Sequence, residues 1–262
     1  MTRTSRITAL ITGASSGIGA IYADRLARRG HDLVLVGRDA TRLTAVAEAA
    51  TRHGVTVETI RADLSDAAEL GRVETRLRDD GAIRILVNNA GINAAPTMAG
   101  ADPDALARMI QVNVTAPTRL AAAAATAFSA AHTGIIVNIS SALALAPEMF
   151  SGAYSGSKAY LLNLSLSLAR ELAPRGIRVQ AVLPGATATA FWSGSEGDLP
   201  ASMVMGAEEL VDAALAGFDA GEEVTIPSLP DQADWERFNA ARASLGPNLS
   251  LQHAAARYRQ AA

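Results

Sequence analysis

Short apolar runs and helical stretches alternate along this chain. Ile7 to Gly13 is an apolar run closed by glycine, and Ile18 to Arg29 then carries helical spacing that stops at Gly30. A second run, Leu33 to Val36, leads through Asp39, an N-cap residue type, into a helix reaching His53 and ended by Gly54. Val55 to Ile60 predicts the next strand, Ser65 caps a helix through Arg78, and Ile83 to Val87 predicts a strand running into Asn88, Asn89, Ala90 and Gly91. Such alternation, with no composition break, predicts an α/β fold. It is a doubly wound parallel sheet with helices on both faces, residues 1–262 forming one domain.

The second half continues the pattern with two interruptions. Asp102 and Pro103 read as the cap and first residue of a long helix that carries Asn113 and runs to about Ala130. Pro117 lies inside it and cannot donate to the Asn113 carbonyl, which predicts a bend and a free acceptor there. Gly134 to Ile139 predicts a strand delivering Ser140 and Ser141, and a helix with Tyr154 follows to about Leu172. Its leucines at 161, 162, 164, 166, 168 and 172 cover more than one face, which predicts a subunit interface. Ile177 to Leu183 predicts a strand ended by Pro184 and Gly185. The pattern then lapses from Ala186 to Gly206, an insert with Phe191, Trp192, Met203 and Met205 that reads as a substrate lid. A helix to Ala220 and a last strand, Val224 to Pro227, complete the sheet. The tail from Asp231, with Trp235, Phe238, Leu245 and Tyr258, reads as helical packing or a partner contact.

Composition narrows the chemistry. The absence of cysteine excludes disulfides, thiolate catalysis and cysteine metal sites, and the four histidines, at 31, 53, 132 and 253, have no ligand spacing. No metal site is expected. A net charge of −3 gives no electrostatic reason to expect nucleic acid or an acidic membrane. No apolar run approaches the ~20 residues a membrane span needs, and the first strand begins too soon for a signal peptide, so the expected compartment is the cytoplasm.

One pair of residues stands out. Of the 23 basic residues only Lys158 is a lysine, and it follows Tyr154 by four positions. On a helix that spacing brings an ammonium to a phenol. Moving a tyrosine pKa from near 10 to neutrality takes roughly 4 kcal/mol. A charge about 5 Å away at an effective dielectric near 20 supplies roughly 3 kcal/mol. The plain alternative is a surface ion-bearing pair with no chemistry.

Thr12, Gly13, Ala14, Ser15, Ser16, Gly17, Ile18 and Gly19 stand between the first strand and first helix, where glycines admit a pyrophosphate and a helix N-terminus attracts it. A tight turn is the alternative. The second strand ends Val36, Gly37, Arg38, Asp39, so no acid occupies the usual ribose position, and Arg38 is placed to pair with a 2′-phosphate, favouring NADPH over NADH. Asp39 reads as a helix cap, with ribose binding as its other role.

Together the glycine loop, Asn88 to Gly91, Asn113, Ser141 with Tyr154 thirteen residues on, Lys158, and Pro184, Gly185 and Thr189 resemble the short-chain dehydrogenase/reductase family in its single-domain form, over about residues 7 to 190. The resemblance implies a Rossmann-type sheet of about seven strands and an NADP(H) cofactor. It implies Asp63 and Leu64 near the adenine, Asn89, Ala90 and Gly91 along the cofactor, and Thr187 and Thr189 near the carboxamide and phosphates. It implies four catalytic roles: Tyr154 as general acid/base, Ser141 polarising the carbonyl, Lys158 binding ribose and lowering the tyrosine pKa, and Asn113 holding a relay water. Ser140 is the rival for Ser141, which the thirteen-residue interval favours.

The resulting expectation is an NADPH-dependent carbonyl reductase, reversible as an alcohol dehydrogenase. Phe150, Phe191 and Trp192, with Ser141 and Tyr154, are the expected contacts to an apolar ketone, aldehyde or alcohol. The expected assembly is a homodimer or homotetramer through the Asn113 and Tyr154 helices, with no nucleic acid or membrane partner. A non-catalytic NADP sensor and a Ser/Lys hydrolase using Ser141 are the rival classes.

Overall fold

Apolar residues that leave no face for water make buried parallel strands, and those of this chain form one seven-stranded sheet. The computed structural model describes residues 6–94, 97–150, 152–189 and 199–259. Strands β1 (Thr8–Thr12), β2 (Asp32–Gly37), β3 (Val57–Arg61), β4 (Ile83–Asn88), β5 (Gly134–Ile139) and β6 (Ile177–Val182) are joined by β9 (Val224–Thr225) in the order β3-β2-β1-β4-β5-β6-β9. Every pairing is parallel. The order reverses at β1, so β1 and β4 diverge into connections on opposite faces and open a crevice at their carboxyl ends.

Leu10 and Ile11, neighbours on β1 and both fully buried, enter different cores. Ile11 shares one core with Tyr22 and Leu26 of α1 (Gly17–Arg28), Leu43 of α2 (Ala40–Thr51) and Leu210 of α7 (Ala207–Ala220). Leu10 shares the other with Leu70 and Leu77 of α3 (Ala67–Asp79), Phe128 of α5 (Ala116–Ala131) and Leu172 of α6 (Gly152–Leu172).

Four local expectations are corrected. Ser65 does not cap α3: Asp66 does, accepting from the Ala68 and Glu69 N–H groups, while Ser65 turns back to Asp63. The long helix around Asn113 is instead α4 (Pro103–Ile110), a π-helical turn (Gln111–Thr115) and α5. The wider turn, with the Ala116 N–H reaching back to the Gln111 carbonyl, shifts the register so that Pro117 falls in the first turn of α5, where a missing N–H is tolerated. The insert after Gly185 is not irregular throughout, since β7 (Thr187–Ala188) pairs with β8 (Met205–Gly206) and brings its ends together. The last sheet strand is two residues, ending before Pro227, which has no N–H to extend the ladder.

By contacts the chain divides into two compact units, Met1–Pro227 and Ser228–Ala262. The second holds α8 (Gln232–Ser244), capped by the Asp231 carboxylate on the Ala233 N–H, with the Trp235 and Phe238 rings 5.6 Å apart. Among the described residues no helix is long and apolar enough to cross a membrane.

Candidate active site

The crevice at the ends of β1 and β4 is a cleft of about 870 Å³. Thr12, the last residue of β1, fastens its two sides. Its buried Oγ1 donates to the Val87 carbonyl at 3.3 Å and accepts from the Asn89 and Ala90 N–H groups, both at 3.0 Å. Asn89 Nδ2 returns two bonds, to the Thr12 carbonyl at 2.9 Å and the Gly13 carbonyl at 3.1 Å. Glycine is required where the strands meet: Gly13 has φ +65°, and a Cβ there would lie 2.9 Å from the Ala90 Cα. A Cβ on Gly19 would lie 2.4 Å from the Gly13 carbonyl oxygen, so Gly19 acts beneath the loop, letting α1 approach, and does not itself line the cleft. Ser15, Ser16, Gly17 and Ile18 do line it. Among the described residues Ser16 makes no side-chain bond to the helix it begins, and no acid lies in the first turn of α1. Free N–H groups and the positive helix end therefore face the cleft, an arrangement that binds phosphate.

Farther out, Arg38 lines the cleft with an exposed side chain that makes no hydrogen bond or ion pair among the described residues. Asp39 is the cap of α2, as expected, accepting from the Arg42 N–H at 3.0 Å. Its other oxygen lies 3.4 Å from Arg42 Nε, so the acid is engaged by a second arginine that also lines the cleft. Sequence reading passed over Arg42; its position in the first turn of α2, one turn after Arg38, was the available signal. Asp63 and Leu64 line the same end. Burial pushes the Asp63 carboxyl up, but bonds from Ser65 and the charges of Arg108 and Arg38 outweigh it and hold it below the ordinary aspartate range. Arg108 reaches Asp63 at 2.7 Å across from α4.

At the opposite end β5 delivers two serines with different surroundings. Ser140 Oγ donates to the Lys158 carbonyl at 2.7 Å and is engaged there. Ser141 Oγ donates to the Pro184 carbonyl at 3.5 Å, accepts from the Leu143 N–H at 3.1 Å and hydrogen-bonds to the Tyr154 side chain. Both serines line the cleft, and Ser141 is the one bonded to Tyr154. Tyr154 and Lys158 lie on the buried face of α6, both lining the cleft, with Lys158 Nζ 5.8 Å from the Tyr154 ring centre and donating to the Ile139 carbonyl at 2.9 Å. Phe150 stacks edge-on against Tyr154, ring centres 6.0 Å apart. Gly91 borders the lysine: a Cβ there would stand 3.4 Å from Lys158 Nζ and 3.5 Å from Asn113 Oδ1. Asn113 lies behind the cleft wall, its amide closed on the Ile92 backbone by two bonds of 2.9 Å. Ala90, Pro184, Gly185, Thr187 and Thr189 line the cleft, with Thr187 Oγ1 donating to the Gly185 carbonyl at 3.0 Å. Phe191 and Trp192 lie outside the described residues.

The surroundings of the pair act against the expectation that one ammonium brings the phenol to neutrality. Burial drives the Tyr154 phenol well above its ordinary value, with the Ser141 hydrogen bond acting in the opposite direction, and burial pulls the Lys158 ammonium down to about 8. The pairwise arithmetic omitted desolvation, which favours the neutral form of each group. No cluster of three or more metal-ligating side chains occurs among the described residues.

Comparison with known proteins gives the family. The family model for short chain dehydrogenase matches residues 7–199. A short-chain dehydrogenase from Sphingobium yanoikuyae, solved in complex with NADPH, is 50% identical with a TM-score of 0.93, over 96% of this chain and 100% of that one. The bulky-bulky ketone specific alcohol dehydrogenase from Comamonas testosteroni is 47% identical with a TM-score of 0.90, over 97% and 99%. The cis-4-hydroxycyclohexanecarboxylate dehydrogenase of Sinomonas cyclohexanicum is 37% identical over 198 residues, 74% of this chain and 79% of that one. With its glycine loop, its Tyr154 and Lys158 helix and a family match across most of its length, this chain belongs to the short-chain dehydrogenase family of oxidoreductases.

Proposed function

We propose that the chain is an NADPH-dependent carbonyl reductase, reversible as an alcohol dehydrogenase, acting on ketones or aldehydes with apolar substituents. The observation that carries this reading is the meeting of Ser141, Tyr154 and Lys158 at one end of the cleft whose other end is the glycine loop. The cleft suits a dinucleotide: the glycine contacts leave room for a backbone-to-phosphate approach, the start of α1 offers N–H groups, and Arg38 is open to a further phosphate. Ser15, Ser16, Gly17 and Ile18 would hold the pyrophosphate, Arg38 and Arg42 the 2′-phosphate, and Asp63 and Leu64 the adenine. Asn89, Ala90, Gly91, Lys158, Pro184, Gly185, Thr187 and Thr189 would hold the nicotinamide half. Bound NADPH supplies a hydride to the carbonyl carbon.

Ser141 and Tyr154 hydrogen-bond the substrate oxygen, and Tyr154 passes its proton to that oxygen as negative charge develops. A phenol held protonated by burial is in the correct state for reduction at neutral pH; oxidation, which needs a base, is favoured as pH rises. Lys158 places positive charge beside the phenol, and the Asn113 main chain holds a water linking it to solvent. Phe150, edge-on against Tyr154, supplies apolar surface for the substrate, and substrates such as the bulky ketones named for the Comamonas relative are the first to try. The face of α5 and α6 is the proposed dimer or tetramer contact, testable by sedimentation.

The decisive assay follows nicotinamide absorbance while NADPH or NADH is mixed with small and bulky ketones. Consumption of NADPH, faster than of NADH and fastest with apolar ketones, is expected. Binding of NADPH without turnover of any ketone, aldehyde or alcohol would turn the reading toward a cofactor sensor. Hydrolysis of esters by Ser141 with no cofactor requirement would turn it toward a hydrolase.

A further inference from the structure

Ser157 lies between Tyr154 and Lys158, is 3% exposed, and is not among the residues that line the cleft. Its hydroxyl nevertheless touches two parts of the site. Oγ donates to the Tyr154 carbonyl at 2.7 Å and accepts from Asn113 Nδ2 at 3.2 Å. The Asn113 amide is otherwise closed on Ile92, its Oδ1 receiving the Ile92 N–H and its Nδ2 donating to the Ile92 carbonyl. A primary amide has two N–H donors and a serine hydroxyl one. One Asn113 N–H goes to Ile92, the other to Ser157, and the single Ser157 O–H goes to Tyr154. The loop after β4, the π-helical turn and the first turn of α6 are thus joined through one amide and one hydroxyl.

We infer that Ser157 is a positioning residue of the reductase site: it fixes the α6 turn that bears Tyr154 and Lys158 against Asn113. The inference rests on the carbonyl reductase reading for its kinetic consequence, though not for its structural one. Three features favour it over simple packing. Alanine would fill the helix position equally well, and alanine is the better helix former. The hydroxyl is buried among donors and acceptors that it satisfies. The Tyr154 carbonyl is one of its two partners, so tilting of this turn moves the phenol directly. Ser140, bonded to the Lys158 carbonyl from β5, restrains the next residue from the other side. Loss of Ser157 alone should therefore loosen the turn without releasing the helix.

The test uses the fact that Lys158 is the only lysine. Full-length protein grown with lysine labelled at the ε-carbon has a single ε-carbon resonance that reports the amine, read without any substrate. Ser157→Ala is expected to shift or broaden that resonance and move its titration midpoint, with Ser157→Thr, which keeps the hydroxyl, restoring the parent spectrum. With NADPH and a turned-over ketone, Ser157→Ala is expected to lower kcat about tenfold or more with KM within about twofold, as for an interaction that acts on the reacting geometry. The Ser157→Ala, Asn113→Ala double variant should then lose no more than Asn113→Ala alone. A parent-like lysine resonance and kcat in Ser157→Ala overturn the inference. So does a Ser157→Thr variant as impaired as Ser157→Ala while both unfold at the parent temperature. Absence of ketone turnover in the parent removes the reductase reading, and the resonance still decides whether Ser157 positions the turn.

Discussion

The two ends of the cleft are built from opposite materials. At the glycine-loop end the contacts are uncharged, the Thr12 hydroxyl and the Asn89 amide bonded to main chain, and the shape is set by where a Cβ cannot fit: 2.9 Å from Ala90 at Gly13, 2.4 Å from the Gly13 oxygen at Gly19. At the other end the contacts are side chains buried against their charge preference, a phenol driven up and an ammonium pulled down to about 8. The first end gains stability from the arrangement that binds cofactor; the second holds its reactive groups at a cost to stability. Substitutions at the two ends should therefore differ in sign, and that difference is what measurement can break.

The largest effect is expected at the chemical end. Tyr154→Phe removes the proton donor and leaves the ring; kcat should fall by roughly 10²–10⁴, the range for general acid catalysis, with NADPH affinity nearly unchanged. Steady-state kinetics and cofactor titration check both halves. Gly19→Ala should do the reverse of a localised loss, costing roughly 1–3 kcal/mol of stability and the cofactor affinity together, because the methyl meets backbone that cannot swing aside. Gly71→Ala is the control: nothing lies within 4 Å of its Cβ position in the middle of α3. There the substitution should stabilise by roughly 0.5–1 kcal/mol. Equal melting shifts for the two would remove the steric account of the loop.

Lys158→Met separates the ends most sharply, because activity and stability should move in opposite directions. In the folded chain the amine titrates near 8, against 10.5 for an ordinary lysine, so below pH 8 both folded and unfolded chains carry the charge and the burial penalty is fully present. That gap is worth roughly 3 kcal/mol. Between the two values the unfolded chain binds more protons, so parental stability rises with pH, and above the upper value the penalty is gone. The methionine variant should be inactive, more stable than the parent at pH 7, and lose that advantage as pH rises from 8 to 10.5. Denaturant melts across this range check it; a variant less stable at every pH would mean that the Ile139 hydrogen bond outweighs burial.

The fold was legible because strand and helix periods alternate through the chain, and the cap at Asp39 and the glycine ends followed from local chemistry. Local chemistry also misled. Ser65 and Asp66 are both capping residues, and Ser65 is drawn away by a turn onto Asp63, itself held from α4 by Arg108. The π-helical turn at Asn113 has no periodic signature five residues long; Pro117 marked the place but not the remedy. The site residues were legible as motifs, whereas their protonation was not, because desolvation depends on every side chain packed around Tyr154 and Lys158. Arg42 was hidden by its ordinary appearance on a helix, and Ser157 by standing between two conspicuous neighbours.

A smaller effect is expected at the cofactor rim. Arg38→Ala should weaken NADPH about 10- to 100-fold, the range for a hydrogen bond between charged groups, and leave NADH within about twofold. Arg42→Ala should do less, since Asp39 already engages that guanidinium. If Arg38→Ala weakens both cofactors equally, the arginine holds the rim together and does not read the phosphate.

The smallest prediction concerns a second tyrosine. Tyr22 on α1 is 1% exposed, its phenol is driven upward by burial like that of Tyr154, and its hydroxyl has no hydrogen-bond partner among the described residues. A perturbed titration is therefore not what distinguishes the proposed catalytic phenol; contact with Ser141 and access to the cleft are. An unpaired buried hydroxyl costs roughly 1–3 kcal/mol, so Tyr22→Phe should stabilise the chain by about 1 kcal/mol after allowing for repacking, with kcat unchanged. Tyr154→Phe relieves a similar burial while removing the Ser141 bond, and should change stability little and activity greatly. Should Tyr22→Phe destabilise the chain or slow the reaction, the distinction between the two phenols would rest on burial after all, and the geometry of the cleft would have to be reassigned around α1.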